Sequence, residues 1–115
     1  MEVNYTIPGK LPTLNDIIRG TKHHWAVYAN QKKEMTAYCA VMAPQVKFSQ
    51  IQLTCTWFRQ DRRTDPDNIA FGVKFILDGL VMAGVLKNDG WKQVKAIEHR
   101  FEIGEPRVEI NIKEV

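Results

Sequence analysis

The sequence has little that would indicate a secreted, membrane or thiolate-metal protein. It contains only two cysteines in 115 residues, and Cys39 and Cys55 have the spacing of neither a zinc site nor a redox pair. No apolar run approaches the roughly 18 residues that a membrane span requires, and no basic stretch followed by an apolar one opens the chain. We therefore expect a soluble, cytoplasmic protein whose cysteines are reduced and buried.

Net charge and length give two further, weaker indications of the kind of protein. The net charge of +3 favours a polyanionic partner, although so small an excess is common in proteins that bind no nucleic acid. A chain of 115 residues is long enough to bury one core and too short for two. We expect a single domain over residues 1–115.

Hydrophobic periodicity predicts the element order βαβαββ. The predicted strands cover residues 3–7, 51–57, 94–103 and 107–113, the last two joined as a hairpin through residues 104–106. Helices are predicted over residues 25–43 and 66–83, and Gly84 is a natural residue to end the second. Residues 11–24 are expected to form a basic loop. These elements predict an α+β fold with two helices against a mixed sheet of about four strands.

Acidic residues cluster around the second predicted helix. Asp65-Pro66-Asp67-Asn68 has a structural explanation, since such residues cap helices and complement the helix dipole. Helical phase also places Asp67, Lys74 and Asp78 on one face, opposite an apolar stripe. Asp89 lies in an Asn-Asp-Gly turn and either shapes that turn or supplies another carboxylate. Two or three convergent carboxylates would hold Mg²⁺ for phosphodiester hydrolysis.

Basic residues near these acids suit a phosphate backbone. Arg59, Arg62 and Arg63 lie just upstream, where guanidinium groups would bind phosphates bidentately or would form only a solvated loop. Lys74 would either stabilise charge on a scissile phosphate or pair with Asp78 four residues later. Further predicted DNA contacts are Lys22, Lys32 and Lys33.

The remaining aromatic and imidazole groups are expected to be structural. The tryptophans are assigned mainly to the core, with DNA contact as an alternative for Trp91 beside Asp89. His99 lies in an alternating segment, which favours a partly buried, hydrogen-bonded histidine over a catalytic base.

These motifs together resemble the RusA family of Holliday junction resolvases. The matching segments are Arg63-Thr64-Asp65-Pro66-Asp67-Asn68, Lys74, Leu77-Asp78-Gly79-Leu80, Ala83-Gly84-Val85-Leu86 and Asn88-Asp89. The opening Tyr5-Thr6-Ile7-Pro8-Gly9, Asn15 and the element order are weaker similarities. The resemblance implies a homodimeric, phage-type endonuclease that uses Mg²⁺, or Mn²⁺, to nick opposed strands of a branched, four-way DNA junction.

The resemblance also implies roles for individual residues. Asp65, Asp67 and Asp89 correspond to the metal ligands, and Lys74 corresponds to an essential lysine. The spacing from Asp67 to Asp78 is longer than in the best-known member, so Lys74 is aligned by its position relative to Asp78. Where the family often has two adjacent acids, this chain has Asn88-Asp89, which leaves Asp89 as the expected ligand.

Chain length favours a site shared between two subunits, with a site within one chain as the alternative. A helix from Asp67 to Gly84 is about 26 Å long, whereas the segment from Gly84 to Asp89 returns at most roughly 17 Å. Antiparallel pairing of this helix with its mate is expected to bring Asp89 of one chain to Asp67 of the other. The residues expected at that dimer interface are Phe71, Phe75 and Met82.

Two other classes of function stay open at this point. One is a DNA-binding homodimer without catalytic activity, in which the acids serve only as helix caps. The other is a metal-dependent phosphohydrolase that uses the same ligands on nucleotides.

Overall fold

Alternating side chains form a mixed sheet in the computed structural model of the chain, which describes residues 1–23 and 25–115, except the side chains of residues 20–28. The strands in these ranges are β1 (Glu2–Pro8), β2 (Ile51–Arg59), β3 (Val94–Ile103) and β4 (Arg107–Glu114). Their order across the sheet is β1-β4-β2-β3, with β3 parallel to β2 and the other neighbours antiparallel. This mixed sheet confirms the predicted fold class.

Helices cover one face of the sheet. Those in the described ranges are α1 (Leu14–His23), α2 (Trp25–Met42), α3 (Pro66–Ala70) and α4 (Val73–Met82). Their buried side chains form one core with the buried face of β2, including Leu53, Cys55 and Trp57. The opposite face of the sheet is polar and carries threonine and asparagine side chains. None of these helices is long and apolar enough to cross a membrane.

The prediction of a loop over residues 11–24 is wrong, because α1 occupies most of it. The N–H of Thr13 donates to Oδ2 of Asp16 over 2.9 Å, and the N–H of Asp16 donates to Oγ1 of Thr13 over 3.2 Å. This reciprocal pair is a capping box. The signal was present as a threonine followed three residues later by an acid, but Pro12 and Gly20 favoured a loop.

The predicted helix over residues 66–83 is interrupted between α3 and α4. The N–H groups of Gly72, Lys74 and Phe75 donate to carbonyls three residues earlier, which tightens the chain into a turn. A Cβ atom at Gly72 would lie 2.9 Å from the ring of Trp57, so the turn packs its backbone directly onto the indole. Gly84 closes the segment with a φ of 78°, as a C-terminal glycine does.

The predicted hairpin of β3 and β4 is also wrong, because β2 lies between them. The connection over residues 104–106 crosses the end of β2, where the N–H of Gly104 donates to the carbonyl of Arg59 over 2.9 Å. The guanidinium of Arg107 lies 3.7 Å from the ring centre of Phe58 and holds the crossing segment in place. The connection spans about 10 Å, or two strand spacings.

The two cysteines behave as predicted. Cys39 and Cys55 are free and buried. Burial raises the pKa of each thiol to about 12, and the carboxylate of Asp78 adds to the effect at Cys39. Both thiols therefore stay protonated and unreactive at neutral pH.

Candidate functional site

A cavity of about 500 Å³ lies where β2 and β3 end. Because the two strands are parallel, their carboxyl-terminal residues reach the same end of the sheet. The apolar part of the cavity is formed by Trp57, Ile69, Phe101 and Ile103. The polar part is formed by Arg59, Asp61, Arg62, Thr64 and Glu102. The cavity therefore places two arginines and two acidic residues beside an apolar surface, which suits a ligand that has both polar and apolar parts.

Asp65 and Asp67 flank Pro66, which lines this cavity. Asp65 is the N-cap residue of α3 and has an extended backbone, but its side chain accepts no capping hydrogen bond. Both carboxylates are exposed, and neither joins any ion pair found in the described part of the chain. The capping explanation is not realised for Asp65. Both carboxylates are exposed and belong to residues next to one that lines the cavity, but neither lines it.

The three predicted arginines occupy different positions in the loop after β2. Arg59 is half-buried, and this burial lowers the pKa of its guanidinium, an effect that Asp16 and Asp61 oppose. The group remains a cation at neutral pH. Arg62 is exposed and lines the cavity, whereas exposed Arg63 does not line it.

Asp61 shapes this loop and was not identified from the sequence. Its Oδ1 accepts the N–H of Arg63 over 3.0 Å, and its Oδ2 lies 3.9 Å from Nε of the same residue. The first contact is an Asx turn, whose sequence signal is an Asp two residues before the donor. Asp61 therefore holds the backbone of Arg63 in a turn.

Lys74 forms the structural pair that was one of its two interpretations. Its Nζ lies 3.6 Å from Oδ2 of Asp78, one turn later on α4, and both side chains are partly exposed. A catalytic role for Lys74 stays a prediction.

Asp89 lies in a second cavity of about 380 Å³, which shares no lining residue with the first. Leu77, Trp91, Lys95 and Ile97 are among its neighbours there. The N–H of Asp89 donates to Oδ1 of Asn88 over 2.8 Å. Whether Asp89 serves as a metal ligand stays a prediction. Among the described side chains, no three His, Cys, Asp or Glu form a metal-binding group. One chain therefore does not unite Asp89 with Asp65 and Asp67.

Two of the other predicted DNA contacts do not line the first cavity. Lys32 and Lys33 are on α2 and do not line it. The side chain of Lys22 lies outside the described residues.

The predicted helical dimer interface needs correction at Phe75. This ring is 1% exposed and belongs to the core. Phe71 packs edge-on against it, with ring centres 6.3 Å apart, and is itself partly buried. Met82 is 58% exposed. The three residues therefore do not form a continuous surface for a partner.

Four of the exposed large apolar side chains lie on and beside β3. Trp91 is 95% exposed, so its assignment to the core is wrong. Ile97, Phe101 and Ile103 are 42%, 39% and 50% exposed. Nothing local in the sequence marked this strand as uncovered, because its exposure depends on where the helices end.

Exposed carboxylates can bind a divalent cation, and guanidinium groups can bind an anionic oxygen ligand. Asp65 and Asp67 follow the two arginines that line the cavity by only a few residues. The chain matches no known protein-family model and no curated protein. The chemistry of this site is therefore inferred from its own residues and motifs.

Proposed function

We propose that the protein is a magnesium-dependent endonuclease that resolves four-way DNA junctions by paired nicks, in DNA recombination and repair. The observation that carries this proposal is the position of Asp65 and Asp67, exposed and without a capping bond at Asp65, beside a cavity that contains Arg59 and Arg62. The motif resemblance to RusA resolvases supports the same activity. A homodimer acting in the cytoplasm is part of the proposal.

The carboxylates present fit a hard cation. Mg²⁺ is commonly held by one or two carboxylates, with water and substrate phosphate completing its shell. Asp65 and Asp67 would hold the ion, and Mn²⁺ suits the same oxygen ligands. When bound, such an ion polarises a phosphoryl oxygen and lowers the pKa of a bound water.

The arginines would position the substrate. Guanidinium groups bind phosphate oxygens through paired hydrogen bonds, so Arg59 and Arg62 would hold the DNA backbone next to Asp65. Partial burial of Arg59 restricts its side chain, which favours a fixed contact. Arg63, held through its N–H by Asp61, would meet the backbone farther out.

A substrate comparison tests this function. Labelled four-way junction, linear duplex and free nucleotides are incubated separately with the protein, with Mg²⁺ or with EDTA. Metal-dependent, symmetric nicking of the junction is the expected result. Binding without nicking would instead indicate a DNA-binding module, and nucleotide turnover would indicate a phosphohydrolase.

A further inference from the structure

Strand β3 has an apolar row that the helices leave uncovered. Its register with β2 places Ile97 beside Leu53 and Phe101 beside Trp57, on the same face of the sheet. Leu53 and Trp57 are buried beneath the helices, whereas Ile97, Phe101 and Ile103 are not. Contiguous exposed apolar groups on a folded domain mark an interaction surface.

The same strand forms an edge of the sheet. Among the described residues no strand pairs with its outer side, so its backbone donors and acceptors there can pair with another strand. The opposite edge, β1, differs because Val3, Tyr5 and Ile7 pack with the core and Tyr38 donates to the carbonyl of Pro8.

Charges on the other face of β3 decide which partner and which register fit. From the structure we infer that β3 pairs antiparallel with β3 of a second copy, about a twofold axis at His99. This pairing aligns residues 95–103 and places Glu98 opposite the partner's Arg100, and Arg100 opposite the partner's Glu98. Opposite charges in directly facing positions stabilise paired strands, and like charges oppose pairing. The apolar row is matched in part, since Ile97 faces the partner's Phe101. At the axis neutral His99 faces its own equivalent, and Ile103 faces the partner's Lys95.

Neighbouring registers match less well. A twofold axis perpendicular to the sheet puts the helix-covered faces of both copies on the same side. The axis can therefore move along β3 only in whole residues, because any other shift would pair residues that point to opposite faces. An axis at Arg100 sets that residue against itself and Glu98 against the partner's Glu102. An axis at Glu98 sets that residue against itself. An axis at Phe101 pairs Arg100 with the partner's Glu102 but aligns only residues 99–103.

Within one chain, Glu98 and Arg100 already form an ion pair at 2.9 Å. Both are well exposed, so the pair contributes little to the stability of the monomer. In the paired strands each Arg100 would lie between its own Glu98 and the partner's Glu98. Charged residues on an edge strand ordinarily oppose edge pairing, but this register makes the edge complementary to itself.

The pairing also completes the site, a step that rests on the proposed function. Because the strands are antiparallel, the beginning of β3 in one copy lies beside the end of β3 in the other. The cavity containing Asp89 and Lys95 of one copy therefore adjoins the cavity near Asp65 of the other. Each of two symmetric sites takes Asp65 and Asp67 from one chain and Asp89 from its partner. The exposed side chain of Trp91 packs against the partner in this arrangement.

Charge reversal tests the interface through the molecular mass of the protein in solution, without DNA. Sedimentation equilibrium is expected to show a wild-type dimer whose dissociation constant rises about tenfold or more in Arg100→Glu, because each of two symmetric contacts becomes repulsive. Glu98→Arg should weaken it similarly. An equimolar mixture of these two variants restores both opposite-charge contacts and should dimerise like the wild type. Lys47→Glu, in the exposed loop between α2 and β2, is the control and should change nothing.

A second pair of variants tests the register. Facing residues in antiparallel strands have Cβ atoms about 4.5–5.5 Å apart, close to the separation that disulfides span. Mixed Ile97→Cys and Phe101→Cys chains should therefore form a mixed disulfide dimer on mild oxidation, and neither variant alone should do so efficiently. Buried Cys39 and Cys55 do not compete.

The outcomes separate the interface from the activity. A monomeric wild type, a dimer that ignores both charge reversals, or no mixed disulfide would overturn the interface, whether or not junctions are cut. A charge-sensitive dimer that cuts no junction would leave the interface standing and would overturn the endonuclease function.

Discussion

The indole N–H of Trp57 donates to Nδ1 of His99 over 2.9 Å, and the two rings stack with an interplanar angle of 24°. The contact joins β2 to the edge strand β3 and lies beside the candidate site, which Trp57 lines. Because Nδ1 accepts this bond, the imidazole is neutral with its proton on Nε2. The predicted partly buried, hydrogen-bonded histidine is confirmed.

This contact predicts a dependence of stability on pH. Burial lowers the pKa of His99, so the unfolded chain binds the proton more readily than the folded one. The stabilisation is complete above the unfolded pKa of about 6.5 and is lost as the pH falls through the lower folded pKa. Chemical denaturation between pH 7 and pH 5 should show a decline in the free energy of unfolding. His99→Gln, whose amide oxygen can accept the indole N–H without titrating, should decline less, and parallel curves would contradict the prediction.

Close packing of α4 on α2 predicts the effect of a methyl group at Gly79. A Cβ atom there would lie 2.7 Å from Cβ of Cys39 and 2.9 Å from the backbone nitrogen of Ala40. Alanine ordinarily stabilises a helix interior by about 1 kcal/mol relative to glycine. Here overpacking should reverse the sign, and Gly79→Ala should lower the free energy of unfolding by about 1–3 kcal/mol.

Denaturant titration measures this change, with Gly90→Ala as the matched control. A Cβ atom at Gly90 meets its nearest neighbour at 3.6 Å, an ordinary contact, so the control should stay within about 0.5 kcal/mol of the wild type. A Gly79→Ala protein as stable as the control would show that the two helices can separate without cost.

Local patterns predicted the strands and α2 because alternation and helical spacing are properties of neighbouring residues. They did not predict the insertion of β2 between β3 and β4, which depends on pairing between distant segments. The break at Gly72 likewise follows from Trp57, which lies far away in the sequence. The same limit applies to the site. The acidic motif was evident, but Phe101 and Glu102 reach it only through parallel strand pairing.

Replacing a proposed metal ligand should abolish DNA cleavage without abolishing DNA binding. Asp67→Asn should abolish junction cleavage, because it removes one ligand charge from the cation. Binding to the junction should persist or tighten, because a negative charge facing the phosphates is also removed. Cleavage and gel-shift assays measure the two properties. Glu114→Gln, an exposed residue of β4 opposite the first residue of β2, should retain both. Wild-type cleavage by Asp67→Asn would contradict the ligand assignment.

The arginine segment predicts a change in salt dependence. Replacing Arg62 and Arg63 together by alanine should weaken junction binding and flatten the log-log dependence of affinity on salt. The slope should fall by about 0.9 for each phosphate that is no longer neutralised. Binding measured over a range of salt concentrations gives this slope, with Lys113→Ala on β4 as an exposed control. An unchanged slope in the double variant would show that the segment faces away from DNA.

A site shared between subunits predicts complementation of two inactive proteins. Asp67→Asn and Asp89→Asn should each lack cleavage as homodimers, because every site then carries one lesion. In a mixed dimer one shared site carries both lesions and the other carries neither. After random exchange of equal amounts, about one quarter of the wild-type number of sites should be intact, since half of the dimers are mixed.

Nicking of labelled junction by the mixture, compared with each variant alone, measures this recovery. The restored activity should be single nicks and not paired resolution, because each mixed dimer has one working site and resolution requires two. Energy transfer between one variant labelled with a donor dye and the other labelled with an acceptor dye establishes that the subunits exchange. If exchange is complete and the mixture stays inactive, each site lies within one chain, and Asp89 must then approach Asp67 by a movement of the turn that carries it.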